Sequence, residues 1–210
     1  MRNTELTIGL LPSKFSECAW ALIDSAFKQD PTLGWCLFSQ NAGFDGRRGK
    51  YLRSYLEYHH KASLPALGVW AKGTLVAASY FTPGSSVENP TMLEGLGRRI
   101  DIDCGKQSLS RIDLLRGAVE SRPQFSSCNR IEFIGVSPTQ QGNGVGSALL
   151  EATLLHLCEV DPSRNVFLET GEPRNLPFYL RHGFELKNRI DFSGLIQYLL
   201  LKVTACGSPS

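Results

Sequence analysis

Apolar positions recur along this chain with two different periods, and their succession predicts an α/β fold. Residues 6–11 form a short apolar run that suits a strand. Phe15, Cys18, Ala19, Leu22, Ile23, Ala26 and Phe27 then return at helical spacing, with Ser13 placed to cap that helix and Pro31 to stop it. A second helix is predicted over 47–62, with Tyr51, Leu52, Tyr55, Leu56 and His59 along one side. Residues 66–71 and 75–81 read as strands joined at Lys72-Gly73, a hairpin signal. Scattered Leu and Ile among many charges over 88–124 predict further helix, and 184–191 with 195–203 around Ser193-Gly194 predict a closing strand pair.

The most informative pattern lies between those regions. Ile131, Phe133, Ile134 and Val136 suit a buried strand, and Pro138 ends it by removing an amide donor and disfavouring helix at Ser137. From Val145 onward Ala148, Leu149, Leu150, Ala152, Leu154, Leu155 and Leu157 give a helix with a broad apolar surface. Its amino terminus therefore opens inside the run Val136-Ser-Pro-Thr-Gln-Gln-Gly-Asn-Gly-Val-Gly-Ser147. Gly142, Gly144 and Gly146 have no Cβ, so an anion can approach the backbone while the unpaired first amides of the helix point at it. A glycine turn serving only close helix packing is the plainer reading of the same residues.

Composition narrows the classes. The 210 residues are 42% hydrophobic, enough for one core, and no Pro/Gly/Ser-rich linker divides them, so one domain over 1–205 with a frayed tail at 206–210 is expected. A formal charge of +2 without a long basic run leaves no electrostatic footprint for nucleic acid. Arg98, Arg99, Lys106, Arg111 and Arg116 cluster, as a solvated helix face would. No stretch has the length of a signal or membrane segment, which predicts a cytoplasmic protein without a membrane partner. The six cysteines show no C-x-x-C pairing, so neither a metal nor a disulfide framework is expected.

Spacing separates the glycine loop from two better-known phosphate cradles. The dinucleotide fingerprint G-x-G-x-x-G is absent, and so is the nucleotide P-loop with its Gly-Lys-Ser or Gly-Lys-Thr ending. The pattern Val-x-Pro-x-x-Gln-Gly-x-Gly-x-Gly instead resembles the coenzyme A loop of the GCN5-related N-acetyltransferases, the GNAT family. A second segment, Phe167-Leu-Glu-Thr-Gly-Glu-Pro-Arg-Asn-Leu-Pro-Phe-Tyr-Leu-Arg-His-Gly-Phe184, reads strand, loop, short helix and turn. It is similar to the family's Asn-x-x-x-Tyr-x-x-x-Gly-Phe signature, and its runs Leu-Glu-Thr and Pro-Arg-Asn-Leu-Pro-Phe-Tyr resemble the puromycin-type branch. The likeness is specific over 135–184 and fainter at Val69-Trp-Ala-Lys-Gly and Phe81-Thr-Pro-Gly.

That resemblance implies an α/β domain whose central mixed, mostly antiparallel sheet splays at the cofactor strands between flanking helices. It implies transfer of an acetyl group from acetyl-CoA to an amine by direct attack on the thioester, with no metal. Backbone groups of Ile134, Gly135 and Val136 would pair with the pantetheine arm. Gln141, Gly142, Asn143, Gly144, Val145, Gly146 and Ser147 would supply the pyrophosphate loop. Asn175 would hold the pantetheine end, although it could equally cap the helix begun by Pro177, and Gly183 would close that helix.

The resemblance makes Tyr179 the general acid; the plain alternative is a Tyr packed beside Phe178. A Tyr with a pKa of about 10 is a poor match for a thiol near 8.5, so full transfer is uphill by about 2 kcal/mol and a hydrogen bond to the sulfur is the stronger contribution. An alkyl amine with a pKa of about 10.4 must lose a proton before it attacks. Glu132 on the cofactor strand is the first candidate base, unless alternation turns it to solvent. Glu169 on the adjoining strand is second, and His59 and His60 are third, although paired histidines at a helix end are more often on the surface. Phe27, Trp35, Phe38, Tyr51, Tyr55 and Tyr58 could line an acceptor pocket or simply be core. A small-molecule amine is the expected acceptor. A peptide amine, or a binding module without turnover, are the alternatives, and a monomer or homodimer is expected.

Overall fold

A computed structural model describes residues 6–204. The expected tail at 206–210 lies outside the described residues. Seven strands form one sheet: β1 (Leu6–Leu10), β2 (Ala66–Ala71), β3 (Thr74–Thr82), β4 (Asn129–Val136), β5 (Val166–Thr170), β6 (Glu185–Phe192) and β7 (Leu195–Lys202). Their spatial order is β1-β2-β3-β4-β5-β7-β6, and every neighbouring pair is antiparallel except β4 with β5. Lys72 and Gly73 both take positive φ, 50° and 78°, which twists the β2–β3 turn as a tight hairpin requires.

Helices cover both faces. α6 (Val145–Val160) packs on β2, β3 and β4, burying Val145, Leu149, Leu150 and Leu157 with Phe81, Ile131 and Leu168. The short α7 (Leu176–Arg181) joins that side through Tyr179 and Phe178. The opposite face carries α1 (Ser16–Ala26), α2 (Pro31–Cys36), α3 (Phe44–Lys61), α4 (Pro90–Cys104) and α5 (Lys106–Glu120) around Ile23, Leu37, Leu52, Tyr80 and Phe133.

Several local expectations are corrected. Ser13 caps nothing, because the chain enters α1 through a 3-10 turn at Ser13–Phe15 whose start has no side-chain cap. α1 ends at Ala26, ahead of Pro31, and Pro31 begins α2, where its missing amide costs nothing and Asp30 caps through Leu33 N–H at 2.8 Å. The charged stretch 88–124 is two helices, because Gly105 at φ 90° breaks the run. Arg98, Arg99 and Arg116 pair with acids three or four residues away, as on a solvated face, whereas Arg111 turns inward. Cys158 takes part in a disulfide, which the cysteine spacing did not predict.

Candidate active site

β4 and β5 pair only from Asn129 to Ile131 and from Val166 to Leu168. Beyond that point β4 continues on β3 as far as Val136, and β5 continues on β7 as far as Thr170, so the two strands part. The edge of Ile134, Gly135 and Val136 that faces away from β3 therefore has no strand partner, a row that an extended amide-bearing arm can pair with. Glycine at 135 serves a second purpose. A Cβ there would lie 2.9 Å from Ile23 Cδ1 and 3.0 Å from the Ala26 methyl group, so this strand edge depends on α1 packing directly against its backbone.

The glycine loop follows. Gly142 and Gly144 both sit at φ 78°, and a Cβ on either would meet nothing within 4 Å, so their identity answers to backbone conformation and to the open space above them. Gly144 begins α6, whose first helical bond runs from Ala148 N–H to Gly144 O at 3.0 Å. The amides of residues 141–147 consequently have no backbone acceptor among the described residues. Gln141 anchors the loop by donating from Nε2 to Val136 O at 3.3 Å, and buried Val145 pins the start of the helix. Seven consecutive free amides at a helix amino terminus form a cradle for a multiply charged anion such as a diphosphate.

α7 leans on this cradle, since a Cβ on Gly146 would come within 3.8 Å of Phe178 Cζ. Tyr179 is buried, with edge contacts to Phe178 at 5.2 Å and Phe184 at 5.9 Å, and Gly183 at φ 82° closes the helix as its sequence suggested. Burial, and then the charge of Asp30, push the Tyr179 hydroxyl well above the usual phenol range. It is a hydrogen-bond donor and a weak acid. Asn175 makes no capping bond to α7 and lies exposed; Glu172 caps the preceding turn instead, accepting from Arg174 N–H at 3.0 Å. The capping role considered for Asn175 is thereby removed.

Glu132 stands at an irregularity in the strand. Ile131 and Phe133 face consecutive β3 residues, Phe81 and Tyr80, so Glu132 is the extra residue of a β-bulge. Alternation resets across it: Ile131 packs toward α6 and Phe133 toward α1 and α3. Simple alternation from sequence could not supply this register. The bulge places the Glu132 carboxylate beside Tyr55 and Thr82. Burial raises its pKa, against the opposing pull of Arg130 and of the Thr82 and Tyr55 hydroxyls.

Glu169 stands where β5 leaves β4. Burial raises its pKa too; Arg130 and a bond from Gln197 Nε2 at 3.0 Å oppose the rise, and the Glu132 charge adds to it. Arg130 lies over the Phe167 ring at 5.0 Å and stays protonated, because its carboxylate neighbours outweigh its burial. Two carboxyls held high with one guanidinium between their influences make a place where an ammonium can lose a proton.

The aromatic candidates divide. Tyr55 packs edge-on against Phe133 at 5.1 Å, and Phe27 against the same ring at 5.4 Å, so both build the wall behind Glu132. Trp35 and Phe38 hold Arg111, whose guanidinium lies 4.7 Å and 3.8 Å from their ring centres and donates to Trp35 O at 2.5 Å. Lys28, Asp30, Trp35, Phe44 and Arg111 line a cleft of about 400 Å³ that also reaches Ser193 and Gly194. Arg111 belonged to a cluster read as solvated; nothing in its own neighbourhood of sequence reveals the two rings.

His59 is placed elsewhere. It is 1% exposed, against Tyr80, so the surface reading of the histidine pair fails for it, and burial lowers its pKa to about 4. Among the described residues no group of three or more His, Cys, Asp or Glu is placed to hold a metal, and no helix is long and apolar enough to cross a membrane.

Residues 112–186 match the family model described as an acetyltransferase (GNAT) domain, a stretch from within α5 to the start of β6 that holds the loop, the splay and α7. Solved structures share the fold of nearly the whole chain. The histone acetyltransferase HPA2 and related acetyltransferase of Corynebacterium glutamicum is 18% identical with a TM-score of 0.67, covering 95% of this chain and 97% of its own. The PaiA N-acetyltransferase of Thermoplasma acidophilum, solved with coenzyme A, is 12% identical with a TM-score of 0.59, covering 94% and 98%. The ribosomal-protein-S18-alanine N-acetyltransferase of Escherichia coli is 12% identical with a TM-score of 0.58, covering 97% of each.

Proposed function

We propose that the chain is an acyltransferase of the GNAT kind that moves an acetyl group from acetyl-CoA to the primary amine of a small molecule. The carrying observation is the row of unpartnered amides at 141–147, set at the end of the unused β4 edge and beside Tyr179. The loop grips the diphosphate, Ile134 to Val136 take the pantetheine arm as an added strand, and exposed Asn175 holds its end. Side chains contribute little to that grip, which rests on the backbone conformation of the loop.

Glu132 accepts the ammonium proton, directly or through one water, and the Glu169 carboxyl adds negative potential that draws the cation in. The freed nitrogen attacks the acetyl carbon, the carbon–sulfur bond breaks, and the departing thiolate, held by a hydrogen bond from Tyr179, takes the second proton of the amine nitrogen through water and leaves as the thiol. Raising the Tyr179 pKa weakens it as an acid, so it stabilises sulfur charge without surrendering its proton. Alignment supplies much of the rate, since a bound amine and thioester react as one molecule.

A cleft of about 400 Å³ at Asp30, whose charge is felt at Tyr179 and Glu169, has the volume of a small-molecule pocket and supports a small acceptor. The puromycin-type runs in the second segment support an antibiotic-like or metabolite amine. A peptide amine is the second reading, favoured by the protein-acting enzyme among the structural neighbours. Thiol release from acetyl-CoA against a panel of small amines, puromycin included, and lysine or amino-terminal peptides decides between them. Turnover with peptides alone would replace the small-molecule reading, and cofactor binding with no release across the panel would make the protein a binding module.

A further inference from the structure

Two arginines meet Phe38 and spend their donors differently. Arg47 gives Nε to Leu37 O at 2.9 Å, Nη1 to Ala42 O at 2.7 Å, and Nη2 to Phe38 O at 2.9 Å and Asn41 O at 3.2 Å, so all three nitrogens fasten backbone. That grip holds Phe38 at φ 57°, an uncommon conformation for an aromatic residue, and the Phe38 ring centre lies 3.8 Å from the Arg111 guanidinium carbon. Arg111 also lies 4.7 Å from the Trp35 ring centre and gives only Nη1, to Trp35 O at 2.5 Å. Its Nε and Nη2 form the side-on edge that matches a carboxylate, and among the described residues that edge has neither a hydrogen-bond partner nor an ion pair.

Arg111 is half-buried and lines the cleft of about 400 Å³. Lys28 and Asp30 are the other charged residues of that lining. Lys28 makes no ion pair among the described residues, and Asp30 already accepts from Leu33 N–H as the cap of α2. Two cations against one carboxylate leave one positive charge in excess, which suits a guest bearing a single negative charge. The same wall leads to the reacting centre: Thr32 donates to Gln197 Oε1 at 2.9 Å, Gln197 Nε2 donates to Glu169 at 3.0 Å, and the Asp30 charge is felt at Tyr179. Resting on the acetyl-transfer reading, we propose that the free edge of Arg111 receives a carboxylate of the acceptor, so that the molecule acetylated is an amino-carboxylic acid whose carboxylate stands in the cleft while its nitrogen reaches Glu132. The edge gives two parallel hydrogen bonds to the two carboxylate oxygens, and Lys28 adds positive potential. Trp35 and Phe38 cover the guanidinium without consuming those donors, which sharpens the preference. An amine without the carboxylate leaves the edge unmatched, and that difference is the source of discrimination.

The probes are γ-aminobutyrate, ε-aminocaproate and para-(aminomethyl)benzoate, each paired with its amide, which keeps the length and the amine but not the negative charge. Titration of the whole protein without coenzyme, followed by nitrogen NMR of the arginine Nε–H groups, should show saturable binding of at least one acid about ten- to a hundredfold tighter than its amide. The resonance that moves should be the one missing from the Arg111→Gln variant. The kcat/KM for acetyl transfer should favour the same acid over its amide by a similar factor, and Arg111→Gln should bring that preference to within a few fold of unity. Circular dichroism verifies the fold of the variant, and the acid-against-amide difference in the wild type stands without it. No saturable binding of any acid, equal affinity for acid and amide, or a preference kept by the folded variant overturns the proposal. Thiol release with acids and amides alike removes the carboxylate site and leaves the acetyltransferase reading in place. Acids bound at Arg111 with no thiol release from any amine removes the acceptor role together with that reading, while the carboxylate site stands.

Discussion

Gln197, 1% exposed, donates from Nε2 to Glu169 at 3.0 Å and accepts from Thr32 Oγ1 at 2.9 Å, so one buried amide ties β7 and α2 to the carboxyl where β5 leaves β4. The amide favours the ionised form of Glu169. Replacing Gln197 by Leu removes that donor, so the Glu169 pKa rises further above the carboxylate range. An acidic limb of the kcat/KM profile that belongs to Glu169 should move to higher pH, and a profile that stays in place removes Glu169 from the reaction.

Glu132→Gln keeps the shape of the bulge and abolishes the base. The value of kcat/KM for the amine should fall by about 10²- to 10⁴-fold, the usual worth of a positioned base, while the KM for acetyl-CoA stays within a few fold. Because burial raises the Glu132 pKa, the wild-type rate should drop as pH falls through a value above the ordinary Glu range. A Gln variant that retains both rate and profile would transfer the role to Glu169 or to water.

Tyr179→Phe deletes one hydrogen bond to the leaving sulfur. The expected loss in kcat is about a hundredfold, typical of a single donor to developing negative charge. With its pKa pushed upward, Tyr179 should contribute no alkaline limb between pH 7 and about 10. Stopped-flow measurement of thiol release at saturating acetyl-CoA checks both statements.

Gly142→Ala and Gly144→Ala meet no steric obstacle but must hold an L-residue at φ 78°, at a cost of about 1–2 kcal/mol each. Calorimetry should show coenzyme A binding weakened by roughly tenfold or more in each, with pantetheine, which lacks the diphosphate, affected far less. Equal losses for the two ligands would place the diphosphate somewhere other than the loop.

His59 imposes a pH dependence on stability. Its folded pKa of about 4 lies below the unfolded value of 6.5, so the unfolded chain binds the extra proton and stability falls as pH drops from 6.5 toward 4, by up to about 3 kcal/mol. Asp30 acts in the opposite sense. Its folded pKa is raised to about 6 from 3.8, chiefly by burial, so its contribution favours the folded state at the acidic end of that window. Comparing His59→Phe with wild type isolates the histidine: the difference in denaturation midpoint should grow in favour of the variant below pH 6.5. A constant difference across that range would mean that His59 is protonated when folded.

The sequence made the cofactor half legible because its signals are local. A proline after a strand, glycines at alternating positions and an apolar helix behind them depend on a few neighbouring residues, and the loop from Gln141 to Ser147 formed where those signals placed it. The mixed, mostly antiparallel sheet that splays between β4 and β5 also followed from the resemblance carried by 135–184. What escaped was whatever two distant segments decide together. The bulge at Glu132 arises from register against β3, the burial of His59 from where α3 meets Tyr80, and the inward turn of Arg111 from two rings more than seventy positions away in the chain. α2 was hidden for a different reason: at six residues, Pro31–Cys36 is too short to show a period, and only Asp30-Pro31 marks its start.

Arg111 has a consequence for how such a scaffold can vary. Its guanidinium, clasped between Trp35 and Phe38, fastens the α4–α5 excursion to the segment that walls the cleft of about 400 Å³. The excursion thus behaves as a removable cornice: it can lengthen, shorten or tilt and reshape that cleft while the glycine loop and the parted strands beneath keep their own geometry.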